Sequence, residues 1–194
     1  MPPDVRDLRN AMKQKRRSLS AAEVAVASAA IVDKTRRLSC LQRANAIAIY
    51  LPAFGEVDCS GLIDALLARG KRVLAPILRK NRLVFAPFDY GTEFTANGFG
   101  IMEPVYQERA LLTARQLDVV ITPLVAFDAR LNRLGMGGGY YDRTFAFRKR
   151  LGVWRRPLLI GVAYSFQRVD KLQANAWDVP LDVVITEKES FGSY

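Results

Sequence analysis

The sequence predicts an α/β fold: one domain over residues 1–194, with a largely parallel central sheet of the open, doubly wound type and helices on both faces. Three observations predict it. Short runs such as 46–51 and 117–122 are apolar almost throughout, so they read as strands covered on both sides. Segments with helically spaced apolar residues fall between these runs. The chain has 194 residues, half of them hydrophobic and a quarter charged, which suits a soluble chain with a sizeable core.

Each element follows in order. Residues 5–19 read as a helix: Val5, Leu8 and Met12 share a face, and Arg6, Arg9, Lys13, Arg16 and Arg17 cover the others. Ser20 followed by Glu23 has the form of a capping box and opens a second helix that runs to about Leu38. The run 46–51, closed by Pro52 and Gly55, is a buried strand. Leu62, Ile63, Leu66 and Leu67 place a helix at 58–69, with Gly70 positioned to stop it. Strands at 72–75 and 83–88 flank a Lys80-Asn81 turn. The run 117–122 is β-like and Pro123 closes it, 140–150 reads as helical, and 158–163 and 183–186 are further apolar strands. No internal repeat, low-complexity tract or linker is apparent. A sheet of this kind binds ligands at the carboxyl ends of its strands.

Composition narrows the function. The net charge of +10, from 29 basic and 19 acidic residues, favours anionic partners: nucleic acid, phosphorylated cofactors or substrates with several carboxylates. The chain has no histidine, which removes His-containing hydrolase triads and His-bound zinc. Cys40 and Cys59 are far apart and form no Cys-x-x-Cys pair, as expected of reduced cytoplasmic thiols rather than a thiolate metal site. No apolar run approaches the roughly 20 residues that span a bilayer. The first 19 residues are charged and lack a signal-peptide core, and Asp4 and Asp7 speak against a transit peptide. A cytoplasmic protein without a membrane partner is expected.

The most specific segment is Arg133-Leu134-Gly135-Met136-Gly137-Gly138-Gly139-Tyr140-Tyr141-Asp142, in which four of the thirteen glycines occupy five positions. Glycine permits positive φ and leaves no side chain between main-chain N–H groups and a ligand. Successive N–H groups of this kind make an anion-binding concavity. Arg133 adds a full positive charge, and Asp142 is placed to hold a magnesium ion bridging phosphate oxygens. The same glycines also suit an ordinary structural loop. The run lacks the Gly-Lys-Ser/Thr ending of a Walker A loop, and Tyr140 stands where a dinucleotide fingerprint needs its third glycine.

The Arg-Leu-Gly-x-Gly-x-Gly-Tyr-Tyr-Asp run resembles the 5-formyltetrahydrofolate cyclo-ligase family, also called methenyltetrahydrofolate synthetase. The resemblance covers nearly the whole chain: the basic opening helix from Leu8-Arg9 to Arg16-Arg17, Gly55-Glu56-Val57-Asp58, Gly100-Ile101-Met102-Glu103-Pro104, and Pro123 to Phe127-Asp128. It continues with Ile160-Gly161-Val162-Ala163-Tyr164, Gln167, and Asp178 through Asp182 to Thr186. It implies an ATP- and Mg²⁺-dependent ring closure. The γ-phosphoryl group of ATP activates the formyl oxygen as an iminium phosphate, N10 of the folate attacks the same carbon, and phosphate leaves. Such chemistry asks mainly for positioning and charge neutralisation.

By position, the resemblance implies that Gly135, Met136, Gly137, Gly138, Gly139, Tyr140 and Tyr141 cradle the ATP phosphates. Gly138, Tyr140 and Tyr141 would also border the folate. Arg6, Arg9 and Arg133 would reach ATP, with Arg133 and Tyr140 in the catalytic role. Glu56 would accept from pterin N–H groups, and Asp142 and Asp178 would ligate Mg²⁺. The chain departs from the family at Val5, where Lys is frequent, at Met136, where Arg is frequent, and at Ala176-Trp177 before Asp178. The expected partners are ATP and 5-formyltetrahydrofolate, polyglutamylated forms included, acting on a monomer with no specific nucleic acid. Two other readings stay open: a Mg-ATP-dependent kinase or ligase for another carboxylated metabolite, and a basic nucleic-acid-binding protein. Against the latter, the basic residues are dispersed and no recognition motif is present.

Overall fold

The computed structural model describes residues 4–98, 100–150 and 156–192. In chain order the elements are α1 (Val5–Arg17), α2 (Ala21–Arg36), α3 (Ser39–Arg43), β1 (Ala46–Ile49), α4 (Ser60–Leu67), β2 (Arg72–Arg79) and β3 (Arg82–Pro87). There follow β4 (Phe94–Ala96), β5 (Met102–Pro104), β6 (Val119–Thr122), β7 (Ala126–Phe127), β8 (Arg133–Leu134), α5 (Tyr140–Phe145), β9 (Leu158–Val162), β10 (Val183–Ile185) and β11 (Ser190–Gly192). Among the described residues, seven strands form one sheet in the order β11-β10-β9-β6-β1-β2-β3. The five from β10 to β2 run parallel, and β11 and β3 close the two edges antiparallel. The largely parallel sheet expected from the sequence is present.

The strands alternate their side chains between two cores, as a period of two requires. Ile47, Ile49, Val73, Val119, Ile121, Ile160 and Val162 face one core, which Ile31 of α2, Leu41 of α3 and Leu62 and Leu66 of α4 complete. Ala48, Leu74, Val120, Leu159 and Val184 face the other, with Phe145 of α5, Phe127 and Leu117. Helices therefore cover both faces. The capping box of α2 is formed as read: Glu23 N donates to Ser20 Oγ at 3.2 Å, and Ser20 N donates to Glu23 Oε2 at 2.8 Å.

Several local readings change. The strand at 72–75 continues through Pro76 to Arg79. A proline is tolerated there because β1 pairs with β2 only as far as Ala48↔Leu74, and Phe85, opposite Pro76, exchanges its main-chain bonds with Leu112 instead. The helix at 140–150 splits: α5 ends at Phe145, and a 3₁₀ turn from Ala146 to Arg150 carries Arg148 into a buried pair with Asp182. Arg16, which the spacing places off the apolar face of Val5, Leu8 and Met12, is nevertheless only 2% exposed.

An internal repeat is also present. Leu117-Asp118-Val119-Val120-Ile121-Thr122 recurs identically as Leu181-Asp182-Val183-Val184-Ile185-Thr186. Both copies do the same work. Asp118 Oδ2 accepts from the N–H of Ala46 at the start of β1 (3.0 Å), and Asp182 Oδ2 accepts from that of Leu159 in β9 (2.7 Å). Each Asp thus caps the amino end of the neighbouring parallel strand.

Candidate active site

The chain passes from β1 to β2 in one direction across the sheet, and from β6 to β9 and β10 in the other. The carboxyl ends of β1 and β6 are therefore the topological switch point, where the connections diverge and leave a crevice. A groove of about 880 Å³ opens there. Tyr50 and Leu51 line it from β1, and Pro123 to Val125 from β6. The overshoot of β2 supplies Pro76 and Leu78, and the β4–β5 hairpin supplies Met102 and Glu103.

The glycine run forms one wall, between β8 and α5. Gly139 is left-handed (φ 63°) and precedes the first turn of α5. A Cβ on Gly138 would lie 2.7 Å from the Tyr140 ring, so that position too admits only glycine without displacing the ring. Two guanidinium groups hold the loop by its carbonyls. Arg9 Nε donates to Gly135 O at 2.9 Å, and Arg143 Nη2 donates to Gly138 O at 2.6 Å while its Nε reaches Asn81 O of the β2–β3 turn at 2.6 Å. Arg143 also lies over the Tyr140 ring at 5.2 Å. Pinning carbonyls in this way sets the peptide planes of the loop.

Behind the loop, Arg133 is buried, with its side chain 4% exposed. Its Nη2 donates to Asp142 Oδ1 at 2.8 Å, and it lies over the Tyr141 ring at 5.3 Å. Its Nη1 is buried with no hydrogen-bond partner among the described residues. Burial draws the Arg133 guanidinium below its ordinary pKa, against the pull of Asp142. Burial likewise pushes the Tyr141 phenol up, so it stays a neutral hydroxyl. Asp142 Oδ1 also accepts from Val179 N at 3.0 Å, which fixes the carboxylate and leaves Oδ2 without a hydrogen bond among the described residues. Asp178 lines the same groove, half-buried, with Oδ2 taking Asn175 N at 2.7 Å.

Glu56 lies on another wall. Ala53 N donates to its Oε2 at 3.2 Å, and Arg16 Nη1 stands 3.7 Å from its Oε1. Burial pushes the Glu56 carboxyl up, and the Arg16 charge holds it back.

The groove thus gathers Glu56, Arg9, Arg133, Asp142, Asp178 and every residue from Gly135 to Tyr141. Arg6 is not gathered: it is exposed and absent from the lining, while Val5 occupies the mouth beside Arg9. The sequence reading missed Arg143 and Arg16. The signal for Arg16 was its spacing of seven residues from Arg9, which places both on one face of α1. Among the described residues, no cluster of three or more Asp, Glu, Cys or His side chains forms a cation cage. Asp142 and Asp178 fit an ion such as Mg²⁺, which takes one or two carboxylates and fills its shell with phosphate oxygens and water. The unpartnered Arg133 Nη1 in the same wall fits an anionic ligand.

Residues 3–187 match the model of the family described as the 5-formyltetrahydrofolate cyclo-ligase family. The chain is 36% identical over 184 residues to the 5-formyltetrahydrofolate cyclo-ligase of Haemophilus influenzae, covering 92% of this chain and 95% of that protein. It is 40% identical over 148 residues to the enzyme of the same name from Escherichia coli K12, covering 74% and 78%. The solved structure of Aquifex aeolicus 5,10-methenyltetrahydrofolate synthetase superposes with a TM-score of 0.81 at 34% identity, over 97% of this chain and 92% of that one.

Proposed function

We propose a division of labour across this groove for a chain that belongs to the 5-formyltetrahydrofolate cyclo-ligase family. The enzyme converts 5-formyltetrahydrofolate to 5,10-methenyltetrahydrofolate with consumption of ATP. The formyl oxygen takes the γ-phosphoryl group and ADP departs, N10 attacks the formyl carbon, and phosphate leaves as the N10 proton is lost. No step needs a nucleophilic side chain or an imidazole, which accords with a chain that has no histidine.

In this reading the loop from Gly135 to Tyr141 receives the phosphates, and Arg133 offers its unpartnered Nη1 to the charge that develops during transfer. Arg9 reaches the nucleotide from α1. Tyr140 and Tyr141 border the folate with neutral hydroxyls. Asp142 and Asp178 hold Mg²⁺, which when bound neutralises phosphate charge. Glu56 accepts from the pterin N–H groups. The enzyme acts in the cytoplasm as a monomer. Support comes from the free thiols of Cys40 and Cys59 and from a groove that a single chain completes.

The observation that carries the assignment of roles is the meeting, in one groove, of a carbonyl-pinned glycine loop backed by a buried arginine and a desolvated carboxylate on another wall. The test is to mix the protein with MgATP and 5-formyltetrahydrofolate and follow the absorbance of the methenyl product. Product must appear only with all three present. Equal rates with Arg133→Met or Glu56→Ala would sink the proposed roles.

A further inference from the structure

Arg16 presents a problem of charge. It is among the largest fully buried side chains, 2% exposed, and its Nε and Nη2 have no hydrogen-bond partner among the described residues. A buried arginine with unmet donors is costly. A second buried arginine, Arg148, also leaves its Nε without a partner among the described residues but makes a close pair: its Nη2 touches both oxygens of Asp182, at 2.8 and 2.6 Å. Arg16 instead stands 3.7 Å from one oxygen of Glu56, beyond hydrogen-bond range. Among the described residues the Glu56 carboxylate takes one hydrogen bond, from Ala53 N, while lining the groove.

We infer that Arg16 is a positioning residue for the folate: its charge compensates the desolvated Glu56 carboxylate, while its distance leaves the carboxylate's acceptor sites to the ligand. A tight bidentate pair would supply the same charge and consume those acceptors. The fold enforces the distance. Gly55, with φ 73°, packs against the α1 backbone so closely that a Cβ there would lie 3.3 Å from Arg16 O. The Glu56 loop and α1 are thus held backbone to backbone. The inference rests on the reading of Glu56 as a folate contact.

The other groups that face Glu56 do not replace Arg16. Tyr50 after β1, Cys59 in the Glu56 loop and Tyr141 of α5 are all pushed up by burial, with the Glu56 charge adding to the rise. They are neutral at physiological pH. Tyr164, after β9, donates to Glu56 O at 3.3 Å and is also pushed up by burial. Asp58 adds a further negative charge near Cys59 and Tyr164. Arg16 is the cation of this set, so without it Glu56 takes up a proton more readily and becomes a donor where the pterin needs an acceptor.

The experiment measures equilibrium binding of 5-formyltetrahydrofolate, without ATP, from pH 5 to 8. Each affinity is divided by that of Glu56→Gln at the same pH, which cancels titration of the folate's own carboxyls. For the natural protein the ratio declines toward acid. In Arg16→Met the decline is expected to move up by about one pH unit or more, the scale for losing an opposite charge at this range. Arg16→Lys is expected to restore it, and nucleotide affinity is expected to be unchanged in both. A decline that stays in place in Arg16→Met, with only thermal stability reduced, makes Arg16 structural and overturns the inference. If Arg16→Met does not fold, Arg16→Lys decides: charge is retained, so a displacement of a full unit overturns the inference. If Glu56→Gln binds folate as the natural protein does at every pH, the Glu56 contact itself is wrong and Arg16 loses its role with it.

Discussion

Asp118 and Asp182 occupy the same place in two identical hexapeptides, each capping a neighbouring parallel strand, yet their surroundings differ. Asp118 pairs with Arg156, whose side chain is 77% exposed, at 3.0 Å. Asp182 pairs with Arg148, whose side chain is 2% exposed, at 2.6 Å. The strand-capping hydrogen bonds are alike, so the difference isolates what burial does to an ion pair. An exposed pair is screened and contributes little. A buried pair contributes little net either, but removing one member leaves a charge stranded in the interior.

At the carboxyl ends of the same strands the treatment of charge is reversed. Three of the four buried polar side-chain atoms without a partner among the described residues belong to Arg16 and Arg133 beside the groove. The fourth is Arg148 Nε. The amino ends spend their carboxylates on the fold, whereas at the carboxyl ends Glu56 and Asp142 each keep one oxygen without a hydrogen bond among the described residues.

The largest expected effect tests the amino ends. Asp182→Ala strands Arg148 and uncaps β9, and should cost about 3–5 kcal/mol, or roughly 10 °C in Tm for a chain of this size. Asp118→Ala loses its hydrogen bonds to Asn45 N and Ala46 N but strands no buried charge, and should cost only about 1–2 kcal/mol. Thermal melts of both variants measure this. Equal losses would break the comparison, because burial of the partner would then not matter.

Much of this was legible in advance, for physical reasons that differ by element. Strands buried on both faces must be apolar throughout, so 46–51, 117–122, 158–163 and 183–186 stood out. The glycine loop was legible because its backbone conformation and the Tyr140 ring exclude a Cβ at successive positions. The β7–β8 hairpin, at two residues per strand, is too short to carry an alternation, and so are β4, β5 and β11. The repeated hexapeptide escaped notice because it is far shorter than the 20 residues or more at which repeats are usually sought. Arg16 escaped because arginine on a helix is normally solvated, and only a carboxylate brought in by the 50–56 loop explains its burial. Arg6 was carried over from the family and lies outside the groove lining, although its neighbour Val5 and Arg9, about one turn of α1 further on, both line it.

The next effect belongs to the carboxyl end. Asp142→Asn keeps the shape of the side chain and an acceptor for Val179 N, but removes the charge facing Arg133 and the proposed metal. We expect kcat to fall about 10²-fold, the scale of one lost electrostatic contact to a transferring group. Tm should fall by less than in Asp182→Ala. Activity close to normal at limiting Mg²⁺ would remove Asp142 from the metal site. A loss of stability as large as that of Asp182→Ala would show that Asp142, too, is spent on the fold.

The smallest effect is a difference in sign. Asp128 is 1% exposed, and burial alone would raise its pKa. Hydrogen bonds from Asn132, Leu172 and Arg130 outweigh burial and hold it below the usual aspartate value of 3.8. A depressed pKa contributes stability that is present above 3.8 and is lost as pH falls through the lower folded value. Glu56 is the reverse. Burial outweighs Arg16 and raises it above 4.5, so its contribution is present below 4.5 and is lost as pH rises through the folded value. Amide variants titrate at neither site, so the Tm of each variant minus that of the natural protein shows the sign directly. Between about pH 4 and 7 the difference for Glu56→Gln should move in favour of the variant. The difference for Asp128→Asn should move against its variant between about pH 2.5 and 5. Whatever the amide itself costs is constant with pH and drops out of the slope. Parallel slopes would mean that Glu56 is as fully satisfied by the protein as Asp128, leaving no acceptor in reserve for a folate.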